Sequence, residues 1–432
     1  MPDRRRFVGT LLNAAVALPV MNVRAFRHLE NATLIAGKRP AASIAEDEDY
    51  WGQIRRSFDL DDTMINFNNG GCSPAPTHVL EQMIRDLRFS NELPVEHMWR
   101  DLEPRVESVR IDLAREFGCD AEEMAVTRNA TEANLNVIFG IDLQPGDEIV
   151  STTQNYPRMV NGWMQRERRN RIVFKQIKLP TPPPSDDEVV AAYEAAITPR
   201  TKMIEVMHVG WQTGFIYPVQ KIIAMARRHN VEVLVDGAHA FAHFPFTRDV
   251  LDCDYYGTSL HKWCQAPIGT GFLYVRKNKI PHVWGMYSDN PDEDANIRKY
   301  EEIGTHPAAI HNAISVAVAF HRSIGAARKY ARLVYLRDRW AKRLLAESDR
   351  VHMFTPMEPG RGGGIGVVGI AGLDMGKLGG WLEQHHHIVT TPIVTPEFAG
   401  LRVTPNIYSS VDEVDYFGDR MVEAMTSEKV KG

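Results

Sequence analysis

The chain is poor in cysteine: Cys72, Cys119, Cys253 and Cys264 are the four among 432 residues. So few in so long a chain make no disulfide framework. No Cys/His grouping has zinc-ligand spacing, and the run His385-His386-His387 points its side chains in different directions, so it reads as a surface cluster and no metal is expected. An excess of basic charge is also missing. Fifty Lys and Arg stand against 55 Asp and Glu, a formal charge of −5, which argues against nucleic acid as a partner. There is no internal repeat. What remains is a chain 44% hydrophobic, enough for a large core and long enough for a large domain with a smaller one.

The first residues differ from the rest. Arg4-Arg5-Arg6-Phe7 precedes an apolar stretch ending at Met21, which is too short to span a bilayer comfortably. It reads as a signal peptide and resembles the twin-arginine export signal. That pathway carries folded proteins, which suits an enzyme that acquires a cofactor before export. The expected location is the periplasm, with membrane contact only during export; without a signal it is the cytoplasm. No clear cleavage site appears near Val23 to Ala36.

From Arg85 to about Ile280, short β-rich runs begin at Met124, Asp147, Arg171, Lys202, Val231, Asp254 and Gly271. Helical stretches from Thr131, Asp186 and Pro218 lie between them. Near-continuous Val/Ile runs alternating with helices predict an α/β fold with a mostly parallel sheet, whose ligand sits beyond the carboxyl ends of the strands. A later region opens with one long amphipathic helix from Ser323 to Glu347, continues through short strands that include GVVGI and LRVTP, with a loose turn between two strands at EPGRGGGIG, and ends in a helix from about Asp412. The expected segments are 1–30 (signal), 31–85 (a segment lining the site), 86–320 (large domain) and 321–432 (small α+β domain).

Two residues carry the chemistry. Asp236 ends the apolar run VLVD, where a carboxylate is costly unless paired. Lys262 follows another strand, in GTSLHKW. Separately, each has a bland reading, as a helix cap and a turn lysine. Pyridoxal 5'-phosphate explains both: its aldehyde condenses with a lysine, and its ring nitrogen needs an acid to stay protonated. Each pKa unit that the acid adds favours the protonated ring by about 1.4 kcal/mol.

Asp236-Gly237-Ala238-His239, Ser259-x-His261-Lys262-Trp263 and Gly269-Thr270-Gly271 resemble the class V aminotransferase family of fold-type I PLP enzymes, and within it the isopenicillin-N-epimerase-like branch. The resemblance runs from about Asn66 to Ser409. It implies a phosphate-binding turn at Asn129, Ala130 and Thr131, where a helix N-terminus suits a dianion, completed by Ser259 and His261. It implies Tyr156 stacked on the ring and His239 near the ring hydroxyl; His208 matches a family position without an assigned role. It implies Arg402 on the substrate α-carboxylate, for which a bidentate fork is suited, and Asn69, Gly70 and Gly71 lining the substrate site. Gly304-Thr305 resembles a turn reaching a phosphate of the neighbouring subunit, which implies a homodimer. Two departures stand out. Trp211 replaces an Asn common in relatives, which implies a reshaped pocket. The desulfurase branch needs a small-domain cysteine, and none follows Cys264; Cys72 lies in another segment.

The expected function is a periplasmic PLP enzyme modifying an amino-acid group, with Lys262 as general base. Exported pyoverdine-tailoring enzymes resemble this branch, so the favoured substrate is the glutamate side group of a siderophore peptide. The alternatives are a free amino-acid epimerase or aminotransferase, and a non-catalytic binding protein of the same fold.

Overall fold

The computed structural model describes residues 23–287 and 290–432. The arginine motif and the apolar stretch after it lie outside the described residues. Helix Val23–Ala36 crosses residue 30, and its Leu29 and Ala32 are buried in the main core. Among the described residues no helix is long and apolar enough to cross a membrane.

Seven strands form the large sheet: β1 (Met124–Thr127), β2 (Glu148–Thr152), β3 (Val173–Ile177), β4 (Thr201–Met207), β5 (Glu232–Asp236), β6 (Tyr255–Ser259) and β7 (Gly271–Val275). Their order is β1-β7-β6-β5-β4-β2-β3. All neighbours pair parallel except those of β7, which runs against β6 and β1. The apolar runs explain this. β5, β6 and β7 are buried along almost their whole length, as strands covered by helices on both faces must be. β3 is the exception: it is at one edge of the sheet, its pattern is half-exposed, and its Lys175 pairs with Glu148, whereas β1 at the other edge is buried.

Apolar clusters lie on both faces of this sheet, and a third fills the smaller unit. There an antiparallel sheet runs β10-β11-β9-β8, from β8 (Val351–Met353), β9 (Gly366–Ile370), β10 (Thr391–Val394) and β11 (Ala399–Val403). The segment before the large sheet is stitched to this unit: Ile65–Asn66 pairs in parallel with Ile388–Val389, and Asn68 bridges to Thr404. The long helix expected from Ser323 is two helices. Ala308–Ile324 ends at Gly325, whose φ of +90° suits glycine, and Ala326–Glu347 starts after it. The hydrophobic period continues through the break, so periodicity alone runs the two together.

Asp236, Met207 and Ser259 end β5, β4 and β6, which places them on one edge of the sheet. Gly271 lets the backbone of β6 and of Asn129 pack closely at this edge. A Cβ there would stand 2.5 Å from Thr258 O and 2.7 Å from Asn129 Cα, both backbone atoms. Gly271→Ala is therefore expected to cost about 1–3 kcal/mol of stability, an overpacking penalty, read as a lower urea midpoint. Gly380→Ala, in a helix with open space around it, is expected to leave the midpoint unchanged or raise it.

Candidate active site

One cavity of about 330 Å³ lies at this edge, and Lys262 and Asp236 both line it. Asp236 is buried, and Ala238 N donates to its Oδ1 at 3.0 Å. Burial raises its pKa, while the Ala238 N–H, the Lys262 charge and Asn134 pull it down. Lys262 Nζ lies 3.1 Å from His239 Nε2. Burial and the Arg402 charge push the Lys262 amine down to about 8, against the pull of Asp236 and Cys72. A lysine in this state is a neutral nucleophile and base far closer to physiological pH than a surface lysine. His239 is held well below its usual range by burial and the neighbouring cations, so it is neutral.

The phosphate turn is built as the residue types demand. Asn129 caps helix Ala130–Gly140, its side chain accepting from Glu132 N at 2.9 Å. Ala130 N donates to Ser259 Oγ at 3.0 Å, which ties the helix start to the end of β6. Thr131 and His261 complete this end of the cavity. Burial and the Lys262 charge push His261 down to about 4. Trp263, beside Lys262, is fully buried and stacks on His243 at 3.9 Å, so the lysine loop is anchored on its far side.

The other end is set by Arg402 on β11. It is 6% exposed. Its Nη1 donates to Trp211 O at 2.9 Å and its Nη2 to Asn68 Oδ1 at 3.0 Å. Neither partner is an anion. Burial pushes this guanidinium down to about 10. A buried cation without a counter-charge is costly, and a carboxylate is the natural compensation. Gly70 passes between the two halves: a Cβ there would sit 3.6 Å from both Arg402 Cζ and His239 Cε1.

Most of the residues singled out in the sequence meet here: Gly70, Gly71, Asn129, Ala130, Thr131, Tyr156, Asp236, His239, Ser259, His261, Lys262 and Arg402 all line the cavity. Tyr156 is at its mouth, 37% exposed and edge-on to Trp211 at 5.7 Å. Asn69 does not line it. Its side chain is fully buried and committed to Thr404 O, Asn66 O and the Tyr408 hydroxyl. Its neighbour Asn68 does not line it either but braces Arg402; adjacent side chains on an extended segment point opposite ways, and the bridge of Asn68 to Thr404 sets which one meets Arg402. Thr305 is exposed and lines no part of its own chain's cavity. His208 is a core histidine, packed against Phe244, Phe246 and Tyr256 and pushed down to about 3 by burial. Trp211, Met159, Met207 and Val209 supply apolar wall; of these only Trp211 was marked by its departure from a pattern.

The residues fit pyridoxal phosphate. His239 Nδ1, His261 Nδ1 and Arg402 Nε are buried nitrogens without a partner among the described residues, on three residues around one cavity. A lysine, a buried acid and a capped helix N-terminus complete the donor set. The aminotransferase class-V family model matches residues 65–392. The chain belongs to the class V aminotransferase family. As in that family, its cofactor is pyridoxal phosphate and it is an enzyme of the PLP-dependent class.

This class V chain is 30% identical to an isopenicillin N epimerase of Amycolatopsis lactamdurans, over 86% of the chain and 98% of the relative. It is 28% identical to one of Streptomyces clavuligerus, over 88% and 99%. In fold it is similar to the cystine C-S lyase C-DES, solved with glycine covalently linked to its PLP cofactor, at TM-score 0.77 and 22% identity, covering 85% of this chain and 99% of that one. A cysteine desulfurase from Thermococcus onnurineus NA1 gives TM-score 0.73 at 20% identity, covering 87% and 98%.

Because Lys262 must be neutral to react, uptake of pyridoxal phosphate by the apoprotein is expected to accelerate as pH rises toward about 8 and to level off above it. Stopped-flow absorbance measures this. A rate still climbing steadily into the ordinary lysine range would contradict the depressed amine.

Proposed function

We propose that the protein binds the α-carboxylate of an amino-acid group on Arg402 and moves a proton at the adjacent carbon with Lys262. The amino acid belongs to a larger molecule, and the substrate class we favour is the glutamate side group of a siderophore peptide, processed after export. The observation that carries this reading is the pairing, in one cavity, of an uncompensated buried guanidinium with a depressed amine.

Bound pyridoxal phosphate supplies an electron sink for charge released at the carbon next to the amino group. The chain does the rest. Arg402, braced by Asn68 and Trp211 O, orients the carboxylate. Lys262, half of it neutral near pH 8, takes the proton and can return it. Asp236 supplies a fixed negative charge beneath, and the buried, neutral His239 keeps a second cation away from Lys262. Protonation of the opposite face of that carbon by an acid other than Lys262 gives epimerisation, which the similarity to isopenicillin N epimerases over nearly their whole length favours. Desulfuration is disfavoured, since no cysteine follows Cys264.

One feature supports a large substrate. Gly71 and Tyr156 line the cavity and are exposed, so it opens to solvent. Trp211 closes the Arg402 side, its indole N–H held on Gln154 O at 3.0 Å. The export motif Arg4–Phe7 supports a periplasmic location, and the exposed Gly304-Thr305 turn supports a homodimer in which it reaches the partner's phosphate end.

Arg402→Gln is expected to raise KM about 10- to 100-fold, the worth of a charge-assisted contact, with the cofactor's visible band intact. For the substrate, the holoenzyme is incubated in deuterium oxide with free amino acids and with a glutamate-bearing siderophore precursor. Deuterium should enter the peptide-borne glutamate, and Lys262→Ala should abolish the exchange. Exchange confined to free amino acids would replace this reading with a free amino-acid epimerase or aminotransferase; none on either substrate would sink it.

A further inference from the structure

Asp236 has a second acid for a neighbour. Glu205 lies on β4, two residues before Met207, and Met207 is in register with Asp236 on β5. Side chains alternate along a strand, so Glu205 and Asp236 emerge on the same face of the sheet from adjacent strands. Glu205 is fully buried. Trp163, from helix Pro157–Asn170, donates its indole N–H to Oε2 at 2.6 Å. Oε1 is buried and makes no hydrogen bond of its own. Among the described residues no Lys, Arg or His forms an ion pair with it. The groups that reach it electrostatically are Asp236 from β5 and Tyr193 from helix Asp186–Ala196, with Trp163 as a neutral donor and Asn155 nearby, its amide donating to Ser151 Oγ at 2.9 Å.

The physics of this placement is one-sided. An ionised Glu205 would put a second negative charge in a dry interior beside the first, with one oxygen unmatched. A neutral carboxyl leaves only a neutral oxygen unmatched, which costs far less. Burial, then the Asp236 charge, push Glu205 up to about 8.

We propose that Glu205 holds a proton at neutral pH and is a positioning residue acting through Asp236, so that the two acids carry a single negative charge, kept on Asp236 beneath the cofactor's ring nitrogen. The part of this that concerns the cofactor rests on the PLP reading given above. Loss of the Glu205 proton at higher pH adds a second negative charge under the site. Added negative charge favours the cationic forms of the ring nitrogen and of Lys262, so it moves the titration of the bound cofactor upward. Glutamine at this position keeps an acceptor for Trp163 and cannot supply that charge.

The test is infrared difference spectroscopy on the apoprotein in water and in deuterium oxide, which reads the carbonyl stretch of a protonated carboxyl directly. The wild type should show this band near neutrality, shifted in deuterium oxide and lost as pH rises through about 8. In Glu205→Gln it should be absent, and the variant's bound cofactor should titrate at lower pH than the wild type's. Absence of the band from the wild type overturns the proposal, as does its survival in Glu205→Gln, which would put the proton on another acid. Should that variant fail to fold, the wild-type pH series decides alone. Failure of the PLP reading shows itself separately, as no visible absorbance in wild type given pyridoxal phosphate, with the infrared result unchanged.

Discussion

A carboxylate and an amine held against the same dry cleft set the terms for everything around them. Desolvation works against both charges: it raises Asp236 and lowers Lys262. Their mutual attraction offsets part of that, and the remainder is what makes Lys262 reactive. The neighbours follow from this tension. His239 is kept neutral by its burial and then by the Lys262 and Arg402 charges that flank it. The loop after β6 is pinned through Trp263, which stacks on His243, while Lys329 donates to the Trp263 carbonyl at 2.5 Å. A lysine on a loose loop would escape to water and recover its ordinary pKa.

The site is shared between the two units of the chain. Asp236, Lys262 and the phosphate turn come from the carboxyl edge of the large sheet, and Arg402 comes from the small sheet. Several contacts hold them in register. Arg402 reaches Trp211 O, Gly363 N donates to Gly214 O, and Thr355 Oγ1 donates to Thr213 O. Gln154, two residues from Tyr156, donates to Glu397 at 3.0 Å. The segment Gly210–Phe215 is therefore the seam, and Trp211 is the part of the seam that faces the cavity.

Much of this was legible in the sequence because buried parallel strands write themselves plainly. All seven large-sheet strands appear as short apolar or aromatic runs, and the aspartate closing VLVD, bland by itself as a helix cap, gains its meaning from the lysine that follows the next strand. The Asp236 and Lys262 segments, taken together, also carry the family. Elsewhere the signals are tertiary. Asn68 and Asn69 are the same residue type, and only the bridge to Thr404 decides which one faces Arg402. The break at Gly325 hides in a continuous hydrophobic period. Glu205 lies in KMIEVMH among apolar residues, and one polar residue in an otherwise apolar strand gives no sign that a tryptophan from a distant helix meets it.

The account turns on Lys262 being the point of attachment. Borohydride reduction of the holoenzyme, followed by digestion and mass spectrometry, tests this directly. The account predicts a reduced pyridoxal phosphate adduct on the peptide that contains Lys262. An adduct on another lysine, or no adduct on a protein that has taken up the cofactor, would contradict it.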